Sequence, residues 1–201
     1  MGYSRYNFWG LLLLYAGVLV VFFDFLVETY PNGLKDEAYY FPWAQDIVYF
    51  GFNGISKYIL GEISDPLGHI NFRAPLYPII LSIMILLVGD SPAYSMALNY
   101  VFLLLSIFLT HLIGRLIHPM AALVGPLLIM LDPLFVTAAS NTQSDTAFLT
   151  FMLASSYGAI LYFLKGGKIR FLSVALIFWS LAALTRTAGI YMWVPLIIAV
   201  V

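Results

Sequence analysis

The residues able to do chemistry in this chain are few and charged: Asp36 beside Glu37, then Arg73, Asp145 and Arg186. A carboxylate can accept the proton that a hydroxyl or amine sheds as it attacks, and guanidinium groups can hold a phosphate as negative charge develops on it. Together these five side chains form the inventory for a reaction at an anionic, phosphate-bearing substrate. Each also has a plain structural reading. Asp36 and Glu37 suit the N-cap and first turn of a helix, where the free N–H groups favour negative charge. Arg73, ahead of Ala74-Pro75-Leu76-Tyr77-Pro78, could snorkel to lipid headgroups. Asp145 could be a first-turn acid with Ser144 as its cap. Arg186, between Ala182-Ala183-Leu184-Thr185 and Thr187-Ala188-Gly189, is a cation that needs a partner. Asp24 and Asp132 lie inside apolar runs, where an acid is either functional or satisfied by an interhelical hydrogen bond. His69, His111 and His118 share no metal-ligand spacing, and no metal site is assigned. Without a single Cys, the chain has no thiolate zinc site, disulfide or cysteine nucleophile.

What must position these residues is set by composition. Of 201 residues 62% are hydrophobic and 9% charged, with a mean hydropathy of +0.94. That is more apolar surface than a soluble domain of this size buries, so the solvent is lipid. A net charge of -1 leaves no basic track for nucleic acid. The first apolar run, residues 8–28, is about twenty residues long and reaches roughly 30 Å as a helix, enough to span. Arg5 precedes it, and Glu28-Thr29-Tyr30-Pro31-Asn32 follows where a cleavable signal would have small residues. An uncleaved signal anchor with a cytoplasmic N-terminus is expected.

Further spans are expected at about 93–116, 120–140, 146–164, 171–186 and 189–201. The apolar stretch at 75–88 differs, because about 14 residues give roughly 21 Å of helix against a hydrocarbon core of about 30 Å. Read as interfacial or re-entrant, it leaves Arg5, Arg115 and the loop Lys165-Gly166-Gly167-Lys168-Ile169-Arg170 on one side, as the positive-inside rule requires. The expected fold is an all-α, polytopic transmembrane helical bundle with a large first extracytoplasmic loop, about 29–92, carrying juxtamembrane helices. In that loop Tyr40, Trp43, Ile47 and Phe50 share one helical face, an aromatic surface suited to the headgroup level, and a second short helix is expected around 55–60. Asp36, Glu37, Arg73, Asp145 and Arg186 then meet at the outer interface. The last apolar run reaches Val201 without a polar stop, so residues 1–201 read as the N-terminal part of a longer module.

These residues resemble the GT-C superfamily of membrane glycosyltransferases, especially its protein O-mannosyltransferase-like and lipid A aminoarabinose transferase-like members. An Asp-Glu pair in a large first outer loop looks like Asp36-Glu37. A basic residue ahead of Pro and aromatic residues looks like Phe72-Arg73-Ala74-Pro75-Leu76-Tyr77-Pro78. A third span with Pro, and an outer acid opening the fourth, look like Asp132-Pro133-Leu134-Phe135 and Ser144-Asp145-Thr146-Ala147-Phe148. A Leu-Thr-Arg before Gly looks like Leu184-Thr185-Arg186-Thr187-Ala188-Gly189. Four weak motifs in order on one membrane face make the likeness.

The resemblance implies an inverting transfer of sugar from a polyprenyl-phosphate donor to a hydroxyl or amine on a lipid, glycan or protein acceptor, at the extracytoplasmic face of the plasma membrane. It implies Asp36 as general base, Glu37 as supporting acid, Arg73 and Arg186 as phosphate binders, and Asp145 as a sugar or acceptor contact. No cofactor is required, although the acids leave room for a divalent metal. Two other classes fit the same residues: a transporter or flippase of lipid-linked sugars, with Asp24 and Asp132 along its polar path, and a non-catalytic assembly subunit in which the outer acids are dispensable.

Overall fold

The computed structural model describes residues 37–51, 53, 74–186 and 188–191. The expected spans at 8–28 and, beyond residue 191, at 189–201 lie outside the described residues, as do Asp24, Asp36, Arg73, His69 and the short helix expected around 55–60. Every regular element among the described residues is a helix. They are α1 (Glu37–Phe50), α2 (Leu76–Val88), α3 (Pro92–Ile117), α4 (Ala121–Leu131), α5 (Pro133–Ala139), α6 (Asp145–Leu164), α7 (Ile169–Thr185) and α8 (Ala188–Tyr191). The chain is a helical membrane protein, with α3 and α6 long and apolar enough to cross a bilayer and α4 with α5 a third span if the bent pair is one.

Local chemistry sets the boundaries. Pro92 opens α3 at a position where its missing N–H costs nothing, because the first N–H groups of a helix have no intrahelical acceptor. Its 26 residues reach about 39 Å. The next span breaks at Asp132-Pro133, where α4 and α5 meet at 65°. A residue before proline is pushed out of the helical region, and Asp132 adopts φ -79 and ψ 112. Its carboxylate then accepts the Leu134 N–H at 2.9 Å and caps α5. Among the described residues the Asp132 carboxylate bonds within its own span, at the break between α4 and α5. Helix α7, where a span over 171–186 is expected, has 17 residues and reaches about 25 Å, the short end of what crosses.

Helix α2 has 13 residues, roughly 20 Å. Tyr77, Pro78, Leu81, Ser82 and Ile85 face the protein, whereas Ile83, Leu86, Leu87 and Val88 are exposed. The aromatic face of α1 corrects an expectation. Tyr40, Trp43 and Ala44 are 5%, 1% and 0% exposed, and Tyr40 and Ala44 belong to one core with Tyr77, Leu81, Ile85 and Phe102. Protein covers most of the face expected at the headgroup level; at its far end Phe50 is exposed.

The register follows from cross-helix pairs. Helices α6 and α7 run antiparallel, with Ser155 donating to the Ala175 carbonyl (2.9 Å) and Phe151 stacked near Phe178. Gly158 permits the close approach, since a Cβ there would sit 2.9 Å from the Ala175 nitrogen and 3.1 Å from the Phe171 carbonyl oxygen. Small residues at such contacts are the usual means of association where lipid removes the hydrophobic drive between helices. Helices α3 and α6 run parallel, tied by Ser106 and Thr150 at 2.8 Å and by Thr150 to the Phe102 carbonyl at 2.7 Å. The bundle therefore has two chemically different ends. Arg115, Lys165, Lys168 and Arg170 lie at one; Asp90, Asp145 and Arg186 lie at the other.

Candidate functional site

Asp145 is the first residue of α6 and Arg186 the residue that ends α7. The antiparallel hairpin brings them to the same end, where the Arg186 Nη1 pairs with the Asp145 Oδ1. The side chains are 39% and 36% exposed, so protein leaves both partly uncovered. A guanidinium carries five N–H donors, so one carboxylate oxygen leaves most of the fork available to a phosphate.

The backbone around Arg186 is held on both sides. Its N–H donates to the Ala182 carbonyl at 3.0 Å and its carbonyl accepts the Gly189 N–H at 2.9 Å. The Trp179 indole N–H donates to the Gly189 carbonyl at 3.1 Å. The chain thus folds back over the end of α7, and only glycine fits the return, because a Cβ at Gly189 would lie 2.8 Å from the Ala183 backbone. This accounts for the Gly of the Leu-Thr-Arg motif.

Ser144 does not cap α6, contrary to expectation; its side chain makes no cap bond. The hydroxyl instead lies 3.1 Å from that of Tyr40. Tyr40 stands one turn after Glu37, the first residue of α1, so this bond sets the start of α1 against the residue that precedes Asp145. A second tie, from the Gln45 amide to both carboxylate oxygens of Asp90 (2.9 and 3.0 Å), holds the other half of α1 across the turn between α2 and α3. Of the five residues assigned from sequence, the structure brings Asp145 and Arg186 into contact and places Glu37 at the N-terminus of α1.

Sequence reasoning missed Asn99. It is fully buried in α3, and its Oδ1 accepts the Tyr77 hydroxyl at 2.8 Å. Its Nδ2 donates to the carbonyls of Asn141 and Gln143, the latter at 3.1 Å. The available signal was an amide inside an apolar run, since a polar side chain within a span needs partners in the protein. Tyr77 completes the connection by packing edge-to-face on Tyr40, with ring centroids 5.1 Å apart. Among the described residues no three His, Asp or Glu side chains gather as a metal site.

Residues 72–201 match the family described as dolichyl-phosphate-mannose-protein mannosyltransferase. No curated protein and no solved structure matches the chain.

Proposed function

Because the chain belongs to the dolichyl-phosphate-mannose-protein mannosyltransferase family, and so is a membrane glycosyltransferase of the GT-C kind, we propose that it moves a sugar from a polyprenyl-phosphate donor to a hydroxyl or amine acceptor, with inversion. The acceptor attacks the anomeric carbon from the face opposite the phosphate. As that bond forms, the bond from the anomeric carbon to the phosphate oxygen breaks, the electron pair leaves with the phosphate, and the acceptor's proton passes to a carboxylate. Asp36 takes the proton, with Glu37 as its supporting acid. Arg73 and Arg186 hold the leaving phosphate as its charge grows. Asp145 orients Arg186 and contacts the sugar or acceptor.

The observation that carries this reading is the Asp145–Arg186 pair, partly open to solvent at the bundle end to which the start of α1 is tied. The basic residues at the opposite end suit the cytoplasmic side, which supports reading the site as extracytoplasmic, in the plasma membrane. Family membership favours transfer chemistry over a transporter or flippase.

The test is transfer of radiolabelled sugar from a series of polyprenyl-phosphate sugars by the full-length protein in membranes. Wild type is expected to release lipid phosphate and label an acceptor. Asp36→Asn should lose about 10²- to 10⁴-fold in rate while still binding donor, since Asn caps a helix about as well as Asp but cannot accept the proton. Transfer at the wild-type rate by Asp36→Asn would remove the base assignment and leave the capping role; no release from any lipid-phosphate donor would remove the donor class.

A further inference from the structure

Asn99 has a full set of directional partners. An uncharged amide offers one acceptor and two donor hydrogens, and here the acceptor takes the Tyr77 hydroxyl of α2 while the donors reach two carbonyls of the turn that leads into α6. Those carbonyls belong to Asn141 and Gln143. Gln143 is followed by Ser144, which meets Tyr40 of α1, and by Asp145, which meets Arg186. A single fully buried side chain thus joins α2, α3 and the entry to α6, and through the Tyr77–Tyr40 ring contact it reaches α1.

Neither an acid nor a hydrocarbon of similar size serves both sides of this junction. Asp would keep an acceptor for Tyr77 but set its second oxygen, in place of the donating nitrogen, against two carbonyls. Leu has similar bulk and leaves the Tyr77 hydroxyl and both carbonyls without the amide. Asn99 is fully buried, so water does not reach its place and the turn must shift for its carbonyls to find other donors.

We infer that Asn99 is a positioning residue for the glycosyl transfer proposed above: by clamping the 141–143 turn it sets where Asp145 holds Arg186, and it couples that placement to the docking of α2 and α1. The inference rests on the reading of Arg186 as a phosphate binder. Asn99 itself touches no reacting atom; it acts through the turn.

Two measurements on the full-length protein test it. Spin labels at Ser91→Cys and Gln143→Cys, within residues 1–201 that carry no native Cys and with any Cys elsewhere in the full-length protein replaced by Ser, report the distance from the start of α3 to the turn. Asn99→Asp should broaden or shift that distribution, and Tyr77→Phe should do so to a smaller degree. In the transfer assay Asn99→Asp should lower kcat/KM by about 10- to 100-fold, the scale of a displacement near 1 Å in a positioned group, mainly through the KM for the lipid-phosphate donor. The same change added to Arg186→Gln should then cost little more, because the group it positions is gone.

A distance distribution identical to wild type in Asn99→Asp overturns the inference, as does a loss that multiplies in full with that of Arg186→Gln. If Arg186→Gln alone transfers at the wild-type rate, the phosphate-binding reading fails by itself. The spin-label distances then decide whether Asn99 holds the turn.

Discussion

The hydroxyl groups of Tyr40 and Ser144, 104 positions apart in sequence, lie 3.1 Å from each other in a buried contact. Through it the N-terminal half of α1 is fastened to the residue just ahead of Asp145. Tyr40→Phe deletes this bond and keeps the ring against Tyr77, and should destabilise by about 1 kcal/mol. Tyr40→Ala removes the ring as well and should cost about 3 to 5 kcal/mol. Thermal unfolding in detergent ranks the two. Hydrogen exchange of α1 should rise in both variants, and unchanged protection of Glu37–Phe50 in Tyr40→Ala would show that α1 is held by other contacts.

The Asp145–Arg186 pair can be tested for function separately from fold by exchanging the partners. Asp145→Arg combined with Arg186→Asp keeps opposite charges in contact and should recover most of the stability lost by either single change. A partly exposed pair of this kind contributes roughly 0 to 1 kcal/mol. Transfer should not recover, since the cation then sits at the start of α6 rather than the end of α7. Wild-type transfer in the exchanged protein would mean that the pair serves the fold alone. Arg186→Gln should raise the donor KM more than the acceptor KM.

Gly158 and Gly189 both make contacts that no larger residue tolerates, with different consequences. Gly158→Val places atoms against the Ala175 and Phe171 backbones in the middle of the α6–α7 hairpin and should cost about 1 to 3 kcal/mol, seen as a lower Tm. Gly189→Val pushes the returning chain off Ala183 beside Arg186. Its larger effect should fall on donor binding, measured as a raised KM at a temperature where both variants remain folded.

The sidedness of the bundle is open to direct labelling, because an introduced cysteine is the sole thiol within residues 1–201. A membrane-impermeant maleimide added outside should label Gln143→Cys, and one delivered inside should label Lys168→Cys, an exposed residue of the basic loop. Labelling of Gln143→Cys from the inner side alone would place the Asp145–Arg186 pair on the cytoplasmic face and overturn the extracytoplasmic assignment.

Much of the architecture is legible in the sequence by itself. Length and apolarity identify the bilayer as solvent, and the shortness of the 75–88 stretch is a matter of residues counted against hydrocarbon thickness. Pro92, Pro133 and Gly89 mark helix boundaries because their backbone chemistry acts within a residue or two. The order of motifs around Asp36-Glu37, Arg73, Asp145 and Arg186 is enough to indicate the family. Tertiary structure alone decides that Ser144 meets Tyr40 rather than capping α6, that most of the aromatic face of α1 is covered by protein rather than headgroups, and that Asn99 is the junction of three elements. The reason is physical. Lipid tails and a packed interior are about equally apolar, so hydrophobicity cannot say which of them covers a side chain, and a hydroxyl or amide is satisfied by whichever group the packing of distant helices brings within about 3 Å.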